Sequence, residues 1–250
     1  IKEAFLKLYL EQTGGFYDYK TKNFYIMSHF DLADKVSQMI VSHELTHFLQ
    51  DINFNLGKFI GDVAHNSDAE LARLCVIEGD ATLEMMYWFQ QFGTKSGMKG
   101  AILDVFLSAD MNQKELNTSP RIIQTELLQP YLLGMAFFEY LQLDNVPDWW
   151  NFPFGKPPVS TEMVMHPEKY IEYKDFPMKI VLTEEEKTLY GQPLYEDQLG
   201  EARVLSIVLE FNKTLSPASR IAAGWGGDRI FLFEGSTLIW KIGFDTPEDR

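Results

Sequence analysis

The chain has 250 residues, of which 46% are hydrophobic and only one, Cys75, is a cysteine. This is enough to bury a core, as one domain over 1–250 or as two lobes, about 1–110 and 111–250, around a cleft. The formal net charge of −14 argues against nucleic acid or an anionic membrane surface as a partner, and a single cysteine excludes an intramolecular disulfide.

Both ends of the sequence suggest a fragment. The amphipathic run Ile1–Leu10 starts without Met and is typical of the tail of a helix that begins upstream. At the other end, Thr246 followed by Pro247 has the pattern of a helix start. No run of about 18 apolar residues is present, so no membrane span is expected. Because an anchor or signal peptide would precede Ile1, we slightly favour an extracytoplasmic or membrane-anchored protein over a cytoplasmic one.

The first predicted elements are a hairpin and a helix. Apolar residues alternate over Phe16–Met27 around a turn at Tyr19–Asn23, which predicts a short β-hairpin. The helix is predicted over Val36–Phe54, because one apolar stripe recurs with i, i+3, i+4, i+7 spacing. The stripe consists of Val36, Met39, Ile40, His43, His47, Gln50 and Phe54.

This helix contains the motif His43-Glu44-x-x-His47. Two imidazoles four residues apart lie on one helix face, close enough to bind a single tetrahedral zinc ion. Glu44 is rotated about 100° from His43, so it suits a general base that activates water rather than a third ligand. The alternative is a pair of core histidines that are satisfied by hydrogen bonds.

A catalytic zinc site needs a third protein ligand and an open fourth position. The metzincin pattern is absent, because it requires Gly at Gln50 and His at Asn53. A glutamate on a later helix is the other common solution, and Glu78 fits it.

The helix that carries Glu78 is predicted to begin with a capping box at Ser67–Glu70. Glu78 lies within its apolar stripe, where a carboxylate is costly unless it meets a cation. Gly79 beside it would let another backbone approach closely. Asp68, Asp80 and Glu84 are lower-ranked ligand candidates, and pairing of Glu78 with Arg73 or Arg121 is the alternative.

The rest of the sequence predicts more helices and a second hairpin, so the expected fold class is α+β, mainly helical. Gly224–Asp228 is expected to form a glycine-rich turn, and it does not match a phosphate-binding loop. The predicted helices are Ala101–Asp110, Ile122–Leu143 with a kink or break at Pro130, Asp197–Asn212 and Pro217–Ala223, and the predicted strands are Arg229–Phe233 and Thr237–Phe244.

His166 is the candidate for a second catalytic role, stabilisation of an oxyanion. Glu162 lies four residues before it on the same helical face, and Pro167 disfavours helix at His166, so its ring can project from a turn. We expect Glu162 to fix the His166 tautomer, with Tyr170 as a reserve donor. The alternative is a surface histidine paired with Glu162. His29 and His65 lie in polar segments and are expected to be solvated.

Together these residues resemble the gluzincins, the thermolysin-like zinc metallopeptidases, in which H-E-x-x-H is followed by a downstream glutamate ligand. Here Glu78 follows His47 by 31 residues. The segments 78–81 (EGDA), 166–170 (HPEKY) and 224–228 (GWGGD) are similar to an uncharacterised group of prokaryotic metallopeptidase-like proteins. Many gluzincins also place an Asp four residues after the glutamate to hold a histidine. Thr82 stands there in this chain, which leaves three candidates for that role: Asp80, Gln50 and Asp51.

The resemblance implies a zincin-like fold with a small β-hairpin or sheet beside the active-site helix. By analogy the hairpin would bind the substrate backbone by strand addition, with a purely packing role as the alternative. The implied function is a zinc-dependent metallopeptidase with Zn²⁺ held by His43, His47 and Glu78, Glu44 as general base and a peptide or protein as substrate. Two alternatives stay open: a non-catalytic zinc-binding or regulatory domain, and a zinc hydrolase acting on a non-peptide amide or ester. The motifs indicate neither the cleavage specificity nor the oligomeric state.

Overall fold

A computed structural model of the chain describes residues 15–26, 28, 31–63, 66–93, 119–212 and 214–247. Within these ranges the protein is mainly helical with two small antiparallel sheets, which confirms the predicted α+β class. The predicted N-terminal helix tail, the predicted helix at Ala101–Asp110, His29 and His65 lie outside the described residues. In the part of the chain that the structure describes, no helix combines the length and apolar character needed to cross a membrane.

The described residues form sixteen helical and strand elements, in chain order. They are β1 (Gly15–Asp18), β2 (Asn23–Ile26), α1 (Lys35–Phe54), α2 (Leu56–Gly61), α3 (Ser67–Phe92), α4 (Arg121–Leu143), α5 (Phe152–Gly155), α6 (Thr161–Met165), α7 (Pro167–Glu172), α8 (Glu184–Tyr190), β3 (Tyr195–Asp197), α9 (Glu201–Asn212), α10 (Leu215–Ala222), β4 (Trp225–Leu232), a 3₁₀ turn (Glu234–Ser236) and β5 (Leu238–Phe244).

The N-terminal hairpin and the motif helix form as predicted. Strands β1 and β2 pair antiparallel, with Tyr17 opposite Phe24, and β1 packs against α1. Helix α1 begins after Asp34, whose carboxylate accepts a hydrogen bond from the Ser37 N–H, as expected of an N-cap. It ends at Asn55, which adopts a left-handed conformation and in turn caps α2.

Helix α3 begins differently from the prediction. Its N-cap is Asn66, whose side chain accepts from the Ala69 N–H, so the capping box expected from Ser67 is wrong. The reason is a tertiary contact: both the N–H and the hydroxyl of Ser67 donate to Asp197, 130 positions later in the chain. The Asp197 carboxylate of β3 therefore takes the place of Glu70, the acceptor that the capping box would offer to Ser67.

Helices α3 and α4 cross with their backbones in contact at two glycines. A methyl group at position 79 would lie 2.2 Å from the carbonyl carbon of Gly134, and one at position 134 would lie 2.0 Å from the carbonyl oxygen of Cys75. The close approach expected at Gly79 is thus present. Helix α4 continues through Pro130 from Arg121 to Leu143, so the helix is not broken there.

The main core draws on both halves of the sequence. It includes Val76 of α3, Phe137 of α4, Met163 of α6 and Tyr170 of α7, all fully buried. The first half of the chain therefore shares its core with the second.

The C-terminal sheet has the strand order β3-β4-β5, all antiparallel. The predicted glycine-rich turn at Gly224–Asp228 is wrong, because β4 already begins at Trp225. Gly227 has a φ of +154° at an irregularity in this strand. A methyl group at Gly227 would lie 2.8 Å from the backbone of Met178. The helix predicted from Asp197 starts only at Glu201, since Asp197 pairs with Ile230 in the sheet.

Asp228 holds this sheet to the start of α9. Its buried carboxylate accepts hydrogen bonds from the N–H groups of Leu199 and Gly200 and from the indole N–H groups of Trp225 and Trp240. A buried carboxylate with this many donors is well stabilised. The GWGGD segment thus places an anchoring carboxylate rather than a loop.

The substitution Asp228→Asn is expected to lower the free energy of unfolding by about 2–3 kcal/mol. The amide replaces one acceptor oxygen with an NH₂ group, which then faces buried donors. Urea denaturation followed by circular dichroism measures the effect. Glu196→Gln is the matched control, because Glu196 is exposed and, among the described residues, its carboxylate pairs with Arg229 alone; its effect should stay within about 0.5 kcal/mol. Equal urea-denaturation midpoints for the two variants would contradict the anchoring role of Asp228.

Candidate metal centre

Three side chains from α1 and α3 converge on one point. The Nε2 atoms of His43 and His47 lie 3.0 Å apart, and the Glu78 Oε2 atom lies 3.2 Å from the first and 3.4 Å from the second. The two imidazole rings are nearly perpendicular, with an interplanar angle of 88°. Helix periodicity places both histidines on the face of α1 that packs against α3.

This arrangement fits a tetrahedral metal ion. With metal–ligand distances of about 2.0–2.1 Å, neighbouring ligand atoms of a tetrahedral zinc site are separated by about 3.3 Å. The three separations observed here, 3.0, 3.2 and 3.4 Å, are close to that value. Two imidazole nitrogens and one carboxylate oxygen are also a donor set typical of catalytic zinc.

The electrostatics of the site favour a positive charge beside Glu78. Burial opposes ionisation of Glu78, but the neighbouring His47 and His43 outweigh it and hold the pKa of the Glu78 carboxyl well below its usual range. Burial likewise lowers the pKa of His47, but Glu78 more than compensates and raises it to about 9. The ionised Glu78 carboxylate therefore favours a positive charge next to it, either on His47 or on a bound metal ion.

Of the two arginines considered as partners of Glu78, the structure describes the side chain of Arg73. Arg73 donates to the Phe59 carbonyl and lies over the Phe59 ring, so it is not the cation that Glu78 meets. The side chain of Arg121 lies outside the described residues.

The lower-ranked ligand candidates do not join the group either. Asp68 accepts hydrogen bonds from Thr161 and Gln198, and Asp80 accepts one from Gln50. Among the described residues at this position, only His43, His47 and Glu78 form a group that could hold a metal ion, the candidate metal-binding group.

Gln50 is the residue that supports His47. The Gln50 Oε1 atom lies 2.9 Å from His47 Nδ1, and the amide NH₂ group donates to the Ile77 carbonyl and to Asp80. Asp51, the third candidate for this role, instead accepts from the hydroxyl of Tyr17 and from Lys22. Gln50 therefore contacts His47, a candidate metal ligand, and Asp80 contacts Gln50.

His43 has a different environment. Its ring lies 6.0 Å from that of Tyr131 in α4, at an interplanar angle of 29°. Its Nδ1 atom is buried and makes no hydrogen bond with the described residues, and the same holds for the hydroxyl of Thr82, the residue at the position of the usual Asp. No sequence pattern indicates the Tyr131 contact, because it depends on the crossing of α3 and α4.

Glu44 lies next to the group and is held by the hairpin. The Tyr17 N–H of β1 donates a 2.8 Å hydrogen bond to Glu44 Oε2. Burial raises the pKa of Glu44, while His47 and His43 oppose the increase. The packing of Tyr17 against Phe48, with ring centroids 5.6 Å apart, fixes the strand on the helix. Sequence periodicity predicts the hairpin but not this backbone hydrogen bond.

His166 lies in a different cluster. Its Nε2 atom is 3.0 Å from Glu201 and its Nδ1 atom is 3.7 Å from Glu168, while Glu162 accepts from Lys169. The expectation that Glu162 fixes the His166 tautomer is therefore wrong. Glu201, at the first position of α9, takes that place through tertiary packing and raises the pKa of His166.

Tyr170 is a core residue. It is 0% exposed, its hydroxyl donates to the Lys156 carbonyl at 2.7 Å, and its ring packs on Phe137 and Phe152. Neither Tyr170 nor His166 belongs to the metal-binding group that the described residues form. Their contacts give no support to an oxyanion role for either residue.

Comparison of the chain with known proteins finds no matching protein-family model, curated protein or solved structure. The resemblance to the gluzincins therefore rests on the motif residues.

Proposed function

We propose that the protein is a zinc-dependent peptidase with a zincin-like fold, in which His43, His47 and Glu78 hold the metal and Glu44 is the general base. The observation that carries this proposal is the triangle of donor atoms, 3.0 to 3.4 Å on a side, that two separate helices bring together. Three protein ligands are typical of catalytic zinc, whereas structural zinc sites usually have four.

Zinc, when bound, supplies the Lewis acidity that polarises a carbonyl group and makes water a better acid. The protein supplies the base. Glu44 follows His43 directly in α1, so its carboxylate lies beside the group without being one of the ligands. The Tyr17 N–H holds one carboxylate oxygen. Glu44 then accepts the proton of the attacking water and delivers it to the leaving amine.

The hairpin supports a peptide as the substrate class. It lies against α1 beside the general base, and its Tyr17 N–H points away from β2 toward Glu44. An edge strand beside the site could bind an extended peptide backbone by strand addition; because the Tyr17 N–H is already bound to Glu44, that pairing would use other backbone groups of the hairpin.

The metal assignment is tested first by metal analysis of the purified protein. We expect about one zinc per chain, and Glu78→Ala should weaken zinc binding by at least about 100-fold, because a direct ligand matters more than an outer partner. Competition with a chromophoric chelator measures the dissociation constant. Glu84→Ala is the matched control, since Glu84 lies on the same helix outside the group.

Activity is tested with a fluorescence-quenched peptide library. Cleavage should stop on addition of a zinc chelator and return on addition of zinc. Stoichiometric zinc without cleavage of peptides, amides or esters would favour the non-catalytic domain, and cleavage of esters or non-peptide amides alone would favour the other hydrolase. Wild-type protein without bound metal would exclude the whole assignment.

A further inference from the structure

The amide of Gln50 has a defined orientation. Gln50 is only 3% exposed, and its Nε2 atom lies 2.9 Å from the carbonyl oxygen of Ile77. A backbone carbonyl accepts hydrogen bonds and cannot donate, so the NH₂ end of the amide must face Ile77. The oxygen end therefore faces His47.

The second amide proton is also used. Gln50 Nε2 lies 2.6 Å from Asp80 Oδ2, so both N–H bonds of the amide have acceptors. The remaining atom, Oε1, is only an acceptor and lies 2.9 Å from His47 Nδ1. The proton between them must come from the histidine, which places a proton on His47 Nδ1.

This proton determines what the other ring nitrogen can do. A neutral imidazole carries one N–H, so a proton on Nδ1 leaves a lone pair on Nε2. The Nε2 atom is the one that lies 3.0 Å from His43 Nε2 and 3.4 Å from Glu78. The hydrogen bond from Gln50 thus selects the ring form in which His47 can bind a metal from this side.

The same contacts set the spacing of the two helices. Gln50 and His47 lie on α1, whereas Ile77 and Asp80 lie on α3, on either side of the ligand Glu78 in the sequence. Gln50 therefore bridges α1 and α3 next to the metal-binding group, so the positions of His47 and Glu78 depend on it.

We propose that Gln50 and Asp80 are positioning residues that hold His47 in the form with a proton on Nδ1 and direct its Nε2 to the metal. This inference rests on the proposed function. Neither residue touches the reacting atoms. Asp80 acts through Gln50, by holding the amide that contacts the histidine. Outer hydrogen-bond partners of this kind typically change metal affinity by about 10- to 100-fold.

The test compares variants by their zinc dissociation constants, measured with a competing chelator. Gln50→Met keeps the size of the side chain and removes its hydrogen bonds, and it should weaken zinc binding by about 10- to 100-fold. Asp80→Leu should act in the same direction. Asp80→Asn keeps an oxygen that can accept from Gln50, so it should bind zinc with nearly wild-type affinity.

Gln129→Met is the matched control for loss of a buried glutamine. Gln129 of α4 is buried, and its amide donates to the Ala202 carbonyl and to the Ser206 hydroxyl at 2.9 Å each. This variant should lose stability without losing zinc affinity. If Gln129→Met and Gln50→Met weaken zinc binding equally, or if Gln50→Met binds zinc like the wild type, the positioning role is excluded.

Nitrogen-15 NMR of the histidine rings provides a readout that does not need activity. In wild-type protein with or without zinc, His47 Nδ1 should carry a proton that exchanges slowly with water, and in Gln50→Met the exchange should be much faster. Absence of this proton in the metal-free wild type would overturn the inference even if zinc binds. Its presence in a protein that binds no zinc would instead exclude the proposed function and leave the Gln50–His47 hydrogen bond established.

Discussion

Glu44→Gln is expected to lower peptide turnover by about 10²- to 10⁴-fold, while the zinc content stays at the wild-type level. The amide is close in shape to the carboxylate and its oxygen can still accept from the Tyr17 N–H, so the local geometry should persist. What is lost is the ability to take a proton from water. Steady-state kinetics and metal analysis on the same preparation measure both quantities.

Glu84→Gln is the control, because it makes the same chemical change on α3 without touching the metal-binding group. It should keep both turnover and zinc. Loss of zinc in Glu44→Gln would identify Glu44 as a ligand instead of a base, and unchanged turnover would remove it from the mechanism.

Gly134→Ala should destabilise the protein by about 3–5 kcal/mol, at the upper end of single substitutions. The added methyl group would lie 2.0 Å from the Cys75 carbonyl oxygen and 2.7 Å from the Cα atom of Gly79. These are backbone atoms of α3, so the overlap is relieved only by moving α3 and α4 apart. Thermal and urea denaturation measure the loss.

Zinc affinity should fall in the same variant. Gly79 directly follows Glu78 in α3, and α4 carries Tyr131 against His43. Separating the helices would therefore move Glu78, a proposed ligand, and the Tyr131 ring that packs near His43, another proposed ligand. Gly61→Ala is the control: a methyl group there meets nothing within 4 Å, and its stability should change by no more than about 1 kcal/mol. A Gly134→Ala protein with wild-type stability would show that the crossing tolerates a wider spacing.

The sequence predicts the helices of the site because local periodicity determines them. The stripe of α1 places His43 and His47 on its packing face, and the stripe of α3 does the same for Glu78. A single pairing of two helices then brings the three side chains together. The hairpin beside α1 follows from its own alternation and turn residues. These features need little information about the rest of the chain.

The errors arise where a distant residue displaces a local partner. The i−4 spacing predicts Glu162 for His166, but Glu201 reaches its ring from 35 positions later. The capping pattern predicts Ser67 as the N-cap, but Asp197 binds Ser67 across 130 positions. The strand β3, with only three residues, carries too little pattern to be recognised. Such contacts depend on the tertiary fold, so the spacing of residues in the sequence does not predict them.

The sequence separation of these contacts also suggests an order of folding. The contacts that join the hairpin, α1 and α3 at the site link residues 27 to 35 positions apart, as in Tyr17 with Glu44 and His43 with Glu78. The start of α3 is held by hydrogen bonds to Thr161, Asp197 and Arg203, which lie 93 to 136 positions later in the chain. Because closing a longer loop has a larger entropic cost and slows folding, we expect α1 and α3 to pair before the C-terminal sheet docks. Zinc added during refolding would then bind before the sheet docks and raise the population of chains in which α1 and α3 are paired.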